Sequence, residues 1–366
     1  MGFKCGIVGL PNVGKSALFN ALTESNNAEV ANYPFATIEP NIGRVPVPDK
    51  RLKKLTEISA SKKTIPSYMD FVDIAGLVKG ASTGEGLGNK FLSHIREMNV
   101  LIHVVRCFEN TNITHTSPSI NPSDDIKMVE TELRLADIET VENKIYDLQK
   151  RAKSGDKKIK TQESVAIALL ERLNHFQNLN ARDSSEKEIQ MMNDLNLLTI
   201  KPMLYVCNVD EKSILTGNHL SNPVKEKCKK DGNQLALVSA LIESQITQLE
   251  NEKDKLELLN ELQLQKTTLN NIIHLGYNLL NLITFFASKP KETRAWTVKN
   301  NTKASQAAGK IHSDFEKGFI KAETTSYEDF IRFKGEAGCR EAGKLRQEGK
   351  DYIVQDGDVF NFLFNV

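Results

Sequence analysis

The eight residues Gly9–Ser16 (GLPNVGKS) constrain the fold of this chain more than any other segment. They fit the pattern G-x-x-x-x-G-K-[ST] and lie between a short apolar run, Phe3–Val8, and a helical pattern, Ser16–Leu22. Glycines allow backbone amides to converge on phosphate oxygens, and the start of a helix adds positive potential at the same place. The segment therefore predicts a nucleotide-binding loop between a strand and a helix.

Three side chains of this loop have separate predicted roles. We expect Lys15 to reach the terminal phosphates as a point charge and the Ser16 hydroxyl to bind Mg²⁺. In a subset of proteins with such loops, an asparagine at the position of Asn12 helps to hold a monovalent cation. K⁺ is therefore a further candidate ligand, although a plain turn-forming role for Asn12 is equally open.

A second motif ends the apolar strand pattern MDFVDI at residues 69–74. The segment Asp73–Gly76 fits D-x-x-G, in which the aspartate orients Mg²⁺ through water and the glycine amide contacts the γ-phosphate. Leu77 follows at the place where Ras-like enzymes have a water-orienting glutamine, so another group or an ion must assist. His115 is a candidate for handling a proton, and Thr37 for a metal-binding switch hydroxyl. Each of these two could instead be an ordinary solvated loop residue.

A base-reading element is predicted after the apolar strand pattern Met203–Cys207. Asn208–Glu211 (NVDE) stands where GTPases carry N-K-x-D, whose aspartate accepts two hydrogen bonds from guanine. Val209 replaces the lysine and Glu211 the aspartate, so the acceptor for guanine is displaced. Backbone groups near Val209 suit adenine, and Asn208 either addresses the base or braces the phosphate loop. Losing a paired polar contact costs about 1–3 kcal/mol, enough to reverse base preference roughly tenfold to a hundredfold.

Ser239 and Ala240 follow the next strand pattern, Leu235–Val238, and fit the short loop that packs near the base. Strand patterns alternate with helical patterns through most of the first 281 residues, which indicates a parallel sheet with helices on both faces. This α/β arrangement is the one in which nucleotide loops of this kind occur.

Residues 125–198 interrupt the alternation with helical periodicity only. Two narrow apolar seams are separated by residues 150–160 (KRAKSGDKKIK), which include six basic residues. We interpret this segment as an antiparallel helical hairpin with a basic tip, although a solvated loop would carry the same charges. The seams consist of Ile138, Val141, Ile145 and Leu148, and of Val165, Leu169, Leu173 and Phe176.

The last 85 residues have a different pattern, with two strand patterns, a helical pattern over Ala304–Phe315 and a closing strand, Val359–Val366, with one aromatic face. They indicate a small α+β module. The predicted organisation is a nucleotide-binding domain of residues 1–124 and 199–281, an inserted hairpin of residues 125–198 and a terminal module of residues 282–366.

Composition limits the cellular setting. The 48 basic and 47 acidic residues give a net charge of +1, so overall charge predicts no DNA or other polyanion as a partner, whereas a local basic patch remains open. The N-terminus lacks the apolar run of a signal peptide, and no stretch approaches the 18 apolar residues of a membrane span. Five scattered cysteines fit reduced thiols. We expect a cytoplasmic protein.

With GLPNVGKS, DIAGL and NVDE in place, the chain resembles the YchF/Obg-like ATPase family of translation-factor-related proteins over its whole length. Further motifs support the resemblance, namely RCFEN at 106–110, TELRLAD at 131–137, RAWTV at 294–298 and DFEKGFIKAE at 314–323. The resemblance implies a GTPase-like P-loop NTPase domain, an inserted coiled-coil hairpin and a C-terminal β-grasp domain of the TGS type. It also implies Mg²⁺-dependent ATP hydrolysis, weak use of GTP and ribosome association, and it classes the chain as HAS type because Leu77 replaces the glutamine.

The family's functional residues carry over at matching positions. Its metal ligands correspond to Ser16 and Thr37, its nucleotide loop to Asn12–Ala17, and its base contact to Val209. Ala17 stands where threonine is more usual, and the loop around His115 (HTSPSIN) lacks the usual glycine. The resulting set of nucleotide contacts is Asn12, Val13, Gly14, Lys15, Ser16, Ala17, Asn208, Val209, Glu211 and Ser239, with Asp73 acting on the metal through water.

Three function classes follow. The leading one is a monomeric ATPase switch that reports its nucleotide state to the ribosome, either the large subunit or the 70S particle, and regulates translation or a stress response. Basic surfaces could contact RNA. The second is a phosphotransferase with a small acceptor, for which no motif supplies a carboxylate base. The third is a GTPase that has lost a strict N-K-x-D.

Overall fold

The computed structural model describes residues 3–24, 29–31, 41–74, 87–110, 119–152, 156–175, 179, 183–249, 251–264 and 267–365. The predicted α/β fold class is confirmed. The chain divides into two compact units. The first consists mainly of Phe3–Gly43 and Asp70–Leu269, and the second of Arg44–Met69 and Asn270–Val366. Within the described segments, every helix is too short or too polar to cross a membrane.

The strands are β1 (Phe3–Val8), β2 (Glu29–Ala31), β3 (Asn41–Pro46), β4 (Thr64–Ile65), β5 (Tyr68–Asp73), β6 (Val100–Cys107), β7 (Met203–Val209), β8 (Gln234–Val238), β9 (Leu282–Ser288), β10 (Thr293–Lys299), β11 (Phe319–Thr325), β12 (Arg346–Glu348) and β13 (Val359–Phe364). The helices are α1 (Lys15–Glu24), α2 (Lys50–Ile58), α3 (Leu87–Arg96), α4 (Pro122–Ala152), α5 (Lys157–Asn174), α6 (Glu186–Asp194), α7 (Ser221–Asp231), α8 (Ala240–Gln248), α9 (Glu252–Glu261), α10 (Thr268–Leu279), α11 (Ala304–Ile311), α12 (Ser313–Lys317), α13 (Tyr327–Arg332) and α14 (Glu336–Glu341).

A seven-stranded sheet has the order β2-β3-β5-β1-β6-β7-β8. Strands β1, β6, β7 and β8 pair in parallel, and β6 is buried at all of its eight residues. Strands that follow β1 in sequence lie on both sides of it, so the end of β1 is a point where the strand order reverses. Ligands of open α/β sheets bind in the crevice at such a point, beyond the carboxyl ends of the strands. The loop Gly9–Gly14 begins there.

The predicted helical hairpin is present as α4 and α5, followed by the shorter α6. Its described seam residues are packed into one apolar core, in which Val141, Leu148 and Leu169 are fully buried, whereas Phe176 lies outside the described residues. Asp156 begins α5 by accepting a hydrogen bond from the Lys158 amide at 2.8 Å. Ser185 and Glu188 form a reciprocal capping box at the start of α6. The arms are therefore held by burial along the seam and by caps at the helix starts.

A buried carboxylate ties the base of the hairpin to the sheet. Asp137 of α4 is fully buried, and its oxygens accept hydrogen bonds from the amides of Leu198 and Thr199, both at 2.8 Å, and from the Thr199 hydroxyl at 2.7 Å. The Arg96 guanidinium, at the end of α3, lies 3.8 Å away. Because residues 198 and 199 lead into β7, this carboxylate fixes where the hairpin returns to the nucleotide-binding sheet.

The second unit contains a six-stranded mixed sheet of order β12-β11-β13-β9-β10-β4. Residues 44–69, which the sequence patterns place in the nucleotide domain of residues 1–124, belong to this unit. The reason is physical: β4 pairs in parallel with β10, and the apolar face of α2 is buried against the sheet. The apolar cluster consists of Leu52, Leu55, Phe286, Ala295, Phe330 and Val359.

Two details of the terminal module differ from the sequence patterns. The helix predicted over Ala304–Phe315 is two helices, because His312 is extended (φ −158°, ψ 142°) and its ring nitrogen accepts from the Asp314 amide, which starts α12. The closing strand ends at Phe364. Its aromatic face is present, since Phe360 and Phe362 are buried and the half-exposed Phe364 stacks on Phe315 at 3.8 Å.

Candidate functional site

The backbone of the phosphate loop has left-handed conformations at three positions. Gly9 has φ +148°, and a Cβ there would lie 2.5 Å from the carbonyl oxygen of Val104 on the neighbouring strand. Asn12 has φ +60°, and Gly14 has φ +101°. Asparagine and glycine are the residues that adopt this region most readily. The loop can therefore turn sharply after β1, so that its amides are in a position to converge on an anion.

Asn208 at the end of β7 braces this loop. Its side-chain nitrogen donates to the Val13 carbonyl at 3.0 Å, and its side-chain oxygen accepts from the Ala240 amide at 3.0 Å. The packing is close, because a Cβ on Gly14 would lie 2.3 Å from the Asn208 nitrogen. The sequence left two roles open for Asn208, contact with the base and bracing of the phosphate loop. These contacts support the bracing role. Ser239, buried beside Ala240, belongs to the same junction.

Lys15 begins α1 and is only 7% exposed. Its ammonium donates to the Leu10 carbonyl at 2.7 Å. Burial lowers the pKa of Lys15 to about 8, although the negative charge of Asp73 opposes this shift. The nucleotide's phosphates would restore a full positive charge on this side chain, because an adjacent anion favours the protonated form.

Asp73 at the end of β5 is the predicted indirect metal ligand, and the structure places it beside the loop. Burial raises the pKa of its carboxyl group, while a hydrogen bond from Ser16 and the charge of Lys15 oppose that shift. Its Oδ1 atom is buried and has no hydrogen-bond partner among the described residues. A buried carboxylate oxygen without a partner is costly. Together with the exposed Ser16 hydroxyl it provides the hard oxygen donors that Mg²⁺ prefers, so these residues fit the metal.

The base-reading segment has a structure that its sequence does not reveal. Val209 is the last residue of β7 and its side chain is buried in the core. Asp210 accepts hydrogen bonds from the Ser213 hydroxyl and from the Asn218 amide, which lower its pKa although partial burial opposes them. Glu211 is exposed and begins a short 3-10 helix, Glu211–Ser213. Both carboxylates are exposed, and Asp210 is engaged within its own turn.

Arg106 has a structural role at the site. In the sequence it was recognised only as the first residue of the RCFEN motif. It is 1% exposed, its guanidinium donates to the carbonyls of Phe108 and Asn110, and it lies 4.8 Å from the Phe108 ring centroid. These contacts shape the chain that leaves β6 towards residues 111–118. The available signal was an arginine inside the otherwise apolar strand pattern VLIHVVRC.

The structure brings together most of the predicted residues that it describes. Asn12, Val13, Gly14, Lys15, Ser16 and the exposed Ala17 lie in one loop and the first turn of α1, with Asp73 and Asn208 beside it. Four residues with predicted roles, Thr37, Gly76, Leu77 and His115, lie outside the described residues.

Comparison with known proteins gives matches over both ends of the chain and over its whole length. A family profile described as a 50S ribosome-binding GTPase matches residues 4–150, and a second, YchF-GTPase_C, described as a protein of unknown function, matches residues 282–365. The chain is 54% identical over 366 residues to the ribosome-binding ATPase YchF of Escherichia coli O157:H7, with 100% of both chains covered. It is 49% identical over 368 residues to the protein of that name from Bacillus subtilis (strain 168), again with 100% of both covered.

A solved structure has the same fold. The structure of the Schizosaccharomyces pombe YchF GTPase superposes with a TM-score of 0.87 at 37% sequence identity, covering 99% of this chain and 98% of that chain. The fission yeast protein is thus named a GTPase, whereas the two bacterial relatives are named ATPases. The names therefore agree on nucleotide hydrolysis and differ on the base.

Proposed function

The chain belongs to the YchF family, and from that membership we propose that it is a Mg²⁺-dependent molecular switch that hydrolyses ATP to ADP and phosphate and binds ribosomes. The observation that carries the hydrolytic part is the cluster of Lys15, Ser16 and Asp73 at the carboxyl end of β1 and β5. It combines one cation, one hydroxyl and one carboxylate oxygen that lacks a partner among the described residues.

Each of these groups has a physical task. Lys15, held in a buried position, would exchange its bond to the Leu10 carbonyl for the terminal phosphates. Ser16 and Asp73 would hold Mg²⁺, directly and through water respectively, and Thr37 is the proposed second hydroxyl ligand. When bound, Mg²⁺ neutralises charge on the phosphate oxygens. Leu77 cannot orient the attacking water, so we propose that His115 or a K⁺ ion held near Asn12 contributes to that step.

The preference for ATP follows from the turn after β7. Guanine requires a carboxylate that accepts from N1–H and N2–H₂. Asp210 already accepts from Ser213 and Asn218, and Glu211, at the position of the guanine-reading aspartate, has a longer side chain and begins a 3-10 turn. Backbone groups beside Val209, with Ser239 near the base, would satisfy the donor and acceptor of adenine. This supports ATP over GTP for this chain, although the fission yeast relative is named a GTPase.

The proposed function also includes the partners of the protein and its location in the cell. We propose that the large subunit or the 70S ribosome is the partner and that basic surfaces contact its RNA. We further propose that the protein acts as a cytoplasmic monomer, regulates translation or a stress response, and carries a TGS-type terminal module. DNA and membranes are not proposed as partners. The exposed lysines at the start of α5, Lys157, Lys158 and Lys160, support the RNA contact through their charge.

The decisive experiment is a parallel assay of phosphate release from ATP and from GTP, with and without ribosomes and with and without Mg²⁺. We expect release from ATP to exceed release from GTP, to need Mg²⁺ and to respond to ribosomes. Lys15→Ala should abolish nucleotide binding, because no other described side chain replaces its charge in the loop. A clear preference for GTP, or transfer of the phosphate to a small acceptor instead of water, would contradict the proposal.

A further inference from the structure

Two of the grooves in the described part of the first unit differ in how their polar groups are used. The first, of about 280 Å³, contains Glu130, Lys227 and Asp231. These three are already joined, with Lys227 at 3.1 Å from Glu130 and at 2.9 Å from Asp231. Charges that neutralise one another in this way have little to offer a ligand.

The second groove, of about 290 Å³, lies between α5 and α6. Each helix supplies four residues at spacings of three, four and seven, the spacing of a single helical face. The α5 face consists of Lys158, Thr161, Gln162 and Val165, and the α6 face of Lys187, Gln190, Met191 and Asp194. The groove is therefore formed by one regular face of each helix.

The polar side chains of this groove are available to bind a ligand. Lys158, Lys187, Gln162 and Gln190 are exposed, and none of their side chains has a hydrogen-bond or ion-pair partner among the described residues. The floor is apolar, because Val165 and the buried Met191 belong to the hairpin core. Two ammonium groups, two amides and an apolar floor thus line a space near the lower limit of small-ligand pockets, about 300 Å³.

These features match one unpaired nucleotide of an RNA strand. Lysine binds phosphate as a compact charge, and glutamine amides pair with the edges of bases, which present both donors and acceptors. The exposed carboxylate of Asp194 at the end of the α6 face can accept from an exocyclic amine of a base. RNA loops present single splayed bases in this manner, whereas the helical parts of RNA present backbone and shape.

An exposed aromatic side chain on α4, the other arm of the hairpin, has related chemistry. Tyr146 on α4 is 59% exposed, and the Lys150 ammonium lies 3.9 Å from its ring centroid. Exposed aromatic rings stack on unpaired bases, and nearby cations strengthen such a platform. Lys157 and Lys160 flank Lys158 on α5 and are also exposed.

We propose that the groove between α5 and α6 binds an unpaired nucleotide of single-stranded or looped RNA, with Lys158 and Lys187 on its phosphates and Gln162 and Gln190 on its base. This rests on the proposed binding of ribosomes and names the chemistry of that contact. An acidic protein segment would use the two lysines, but it would leave the amides and the apolar floor without a role.

The test uses the full-length protein and a fluorescein-labelled single-stranded RNA of about 12 nucleotides, within the site sizes of single-strand binders. The double variant Lys158→Gln with Lys187→Gln should weaken binding roughly tenfold and lower the salt slope by about 1.4, since each lost phosphate contact removes about 0.7. The matched control, Lys229→Gln with Lys230→Gln on α7, removes the same charge from exposed positions elsewhere and should change affinity less than about twofold.

A second pair of changes separates base contact from charge. Gln162→Leu with Gln190→Leu should weaken binding roughly fivefold while the salt slope stays the same, because only neutral hydrogen bonds are lost. Three results would each overturn the proposal. The groove and control lysine variants could lose RNA affinity equally, or the glutamine variant could bind RNA as the wild type does. Polyglutamate could also compete as well as unlabelled RNA does. The polyglutamate result would indicate an acidic protein partner instead.

Ribosome co-sedimentation and ATP hydrolysis distinguish this proposal from the function on which it rests. If wild-type protein sediments with ribosomes and the groove variants do so equally well, the groove assignment fails and the proposed function stands. If wild-type protein does not sediment with ribosomes, the proposed function fails, whatever the RNA oligonucleotide shows. ATP hydrolysis without ribosomes should be the same in all groove variants, because the groove lies away from Lys15 and Asp73.

Discussion

Among single residues, Asn208 joins two site elements through one side chain. It holds the Val13 carbonyl and the Ala240 amide at 3.0 Å each, so the phosphate loop and the loop before α8 share one amide group. Removing it would leave a buried donor and a buried acceptor unsatisfied, each at a cost of about 1–3 kcal/mol. The position thus links nucleotide affinity to the stability of the first unit.

Asn208→Ala should therefore weaken ATP binding roughly tenfold or more and lower the free energy of unfolding by about 2 kcal/mol or more. Titration with a fluorescent ATP analogue and urea denaturation measure the two effects. Asn222→Ala on α7 is the control, because that side chain is exposed and has no described side-chain partner. Wild-type affinity in Asn208→Ala would show that the loop keeps its shape without the brace.

Lys15 gives a pH dependence whose sign can be worked out. Its pKa is lowered by burial to about 8, so above that pH the nucleotide-free protein has lost a proton that ATP binding must restore. The contribution of Lys15 to ATP affinity should be constant below about pH 7, and ATP affinity should fall as pH rises from 8 to 10, by up to roughly tenfold per unit. Calorimetric titration at pH 8.5 in two buffers of different ionisation enthalpy should show proton uptake on binding. Proton release would contradict the prediction.

The same group affects the stability of the nucleotide-free protein in the opposite sense. Between about pH 8 and 10.5 the unfolded chain keeps the Lys15 proton and the folded chain does not. The unfolded state then binds more protons, so the contribution of Lys15 to stability rises with pH over this interval. Alkaline conditions should therefore favour the folded protein through this residue while weakening its affinity for ATP.

At the scale of elements, sequence patterns predicted the structural elements whose residues are close together in the sequence. The loop Gly9–Ser16, the hairpin seams and the buried strands β1, β5, β6 and β7 have periodicities that can be recognised within ten or twenty residues. The role of Asp137 could not be found in this way, because its partners lie more than sixty positions away. The break at His312 could not be found from local patterns either, because this one residue leaves the helical conformation inside a continuous helical pattern.

The hairpin seam offers a matched pair of substitutions on one helix. Leu169 of α5 is fully buried in the hairpin core, whereas Ile167 is 39% exposed. Leu169→Ala should lower the free energy of unfolding by about 2–5 kcal/mol, because it removes buried contacts and leaves a cavity. Ile167→Ala should cost less than about 1 kcal/mol. Urea denaturation of both variants measures the difference, and equal losses would mean that the seam does not bury Leu169.

At the scale of the whole molecule, the two units are not consecutive in sequence. Residues 44–69 bring α2 and β4 into the second unit, where Leu52 and Leu55 pack against Phe286 and Phe330. The nucleotide site could not be predicted in full for a related reason. Lys15, Asp73 and Asn208 are distant in sequence, and only the folded sheet brings them together. Sequence patterns showed each motif and its chemistry, but the junctions between distant segments required the fold.

Truncation after residue 281 tests this arrangement. The shortened chain would keep Leu52 and Leu55 but lose every apolar partner that the cluster takes from β9, β10, β13 and α13. We expect it to bind an apolar dye such as anilinonaphthalene sulfonate more strongly than the full chain does. Changing Leu52 and Leu55 to Gln within the truncated chain should reverse most of that increase. Equal dye binding by the full and truncated chains would mean that residues 44–69 do not need residues 282–366 to cover them.

The placement of residues 44–69 has a consequence for synthesis of the protein. Helix α2 leaves the ribosome roughly 220 residues before β9, the first strand of its apolar cluster, has been made. At roughly 5–20 residues per second, the nascent chain must carry an amphipathic helix without its apolar cover for about 10–40 s. Early translation products of this chain should therefore depend on chaperones, and slowing elongation between residues 69 and 282 should lengthen that exposure.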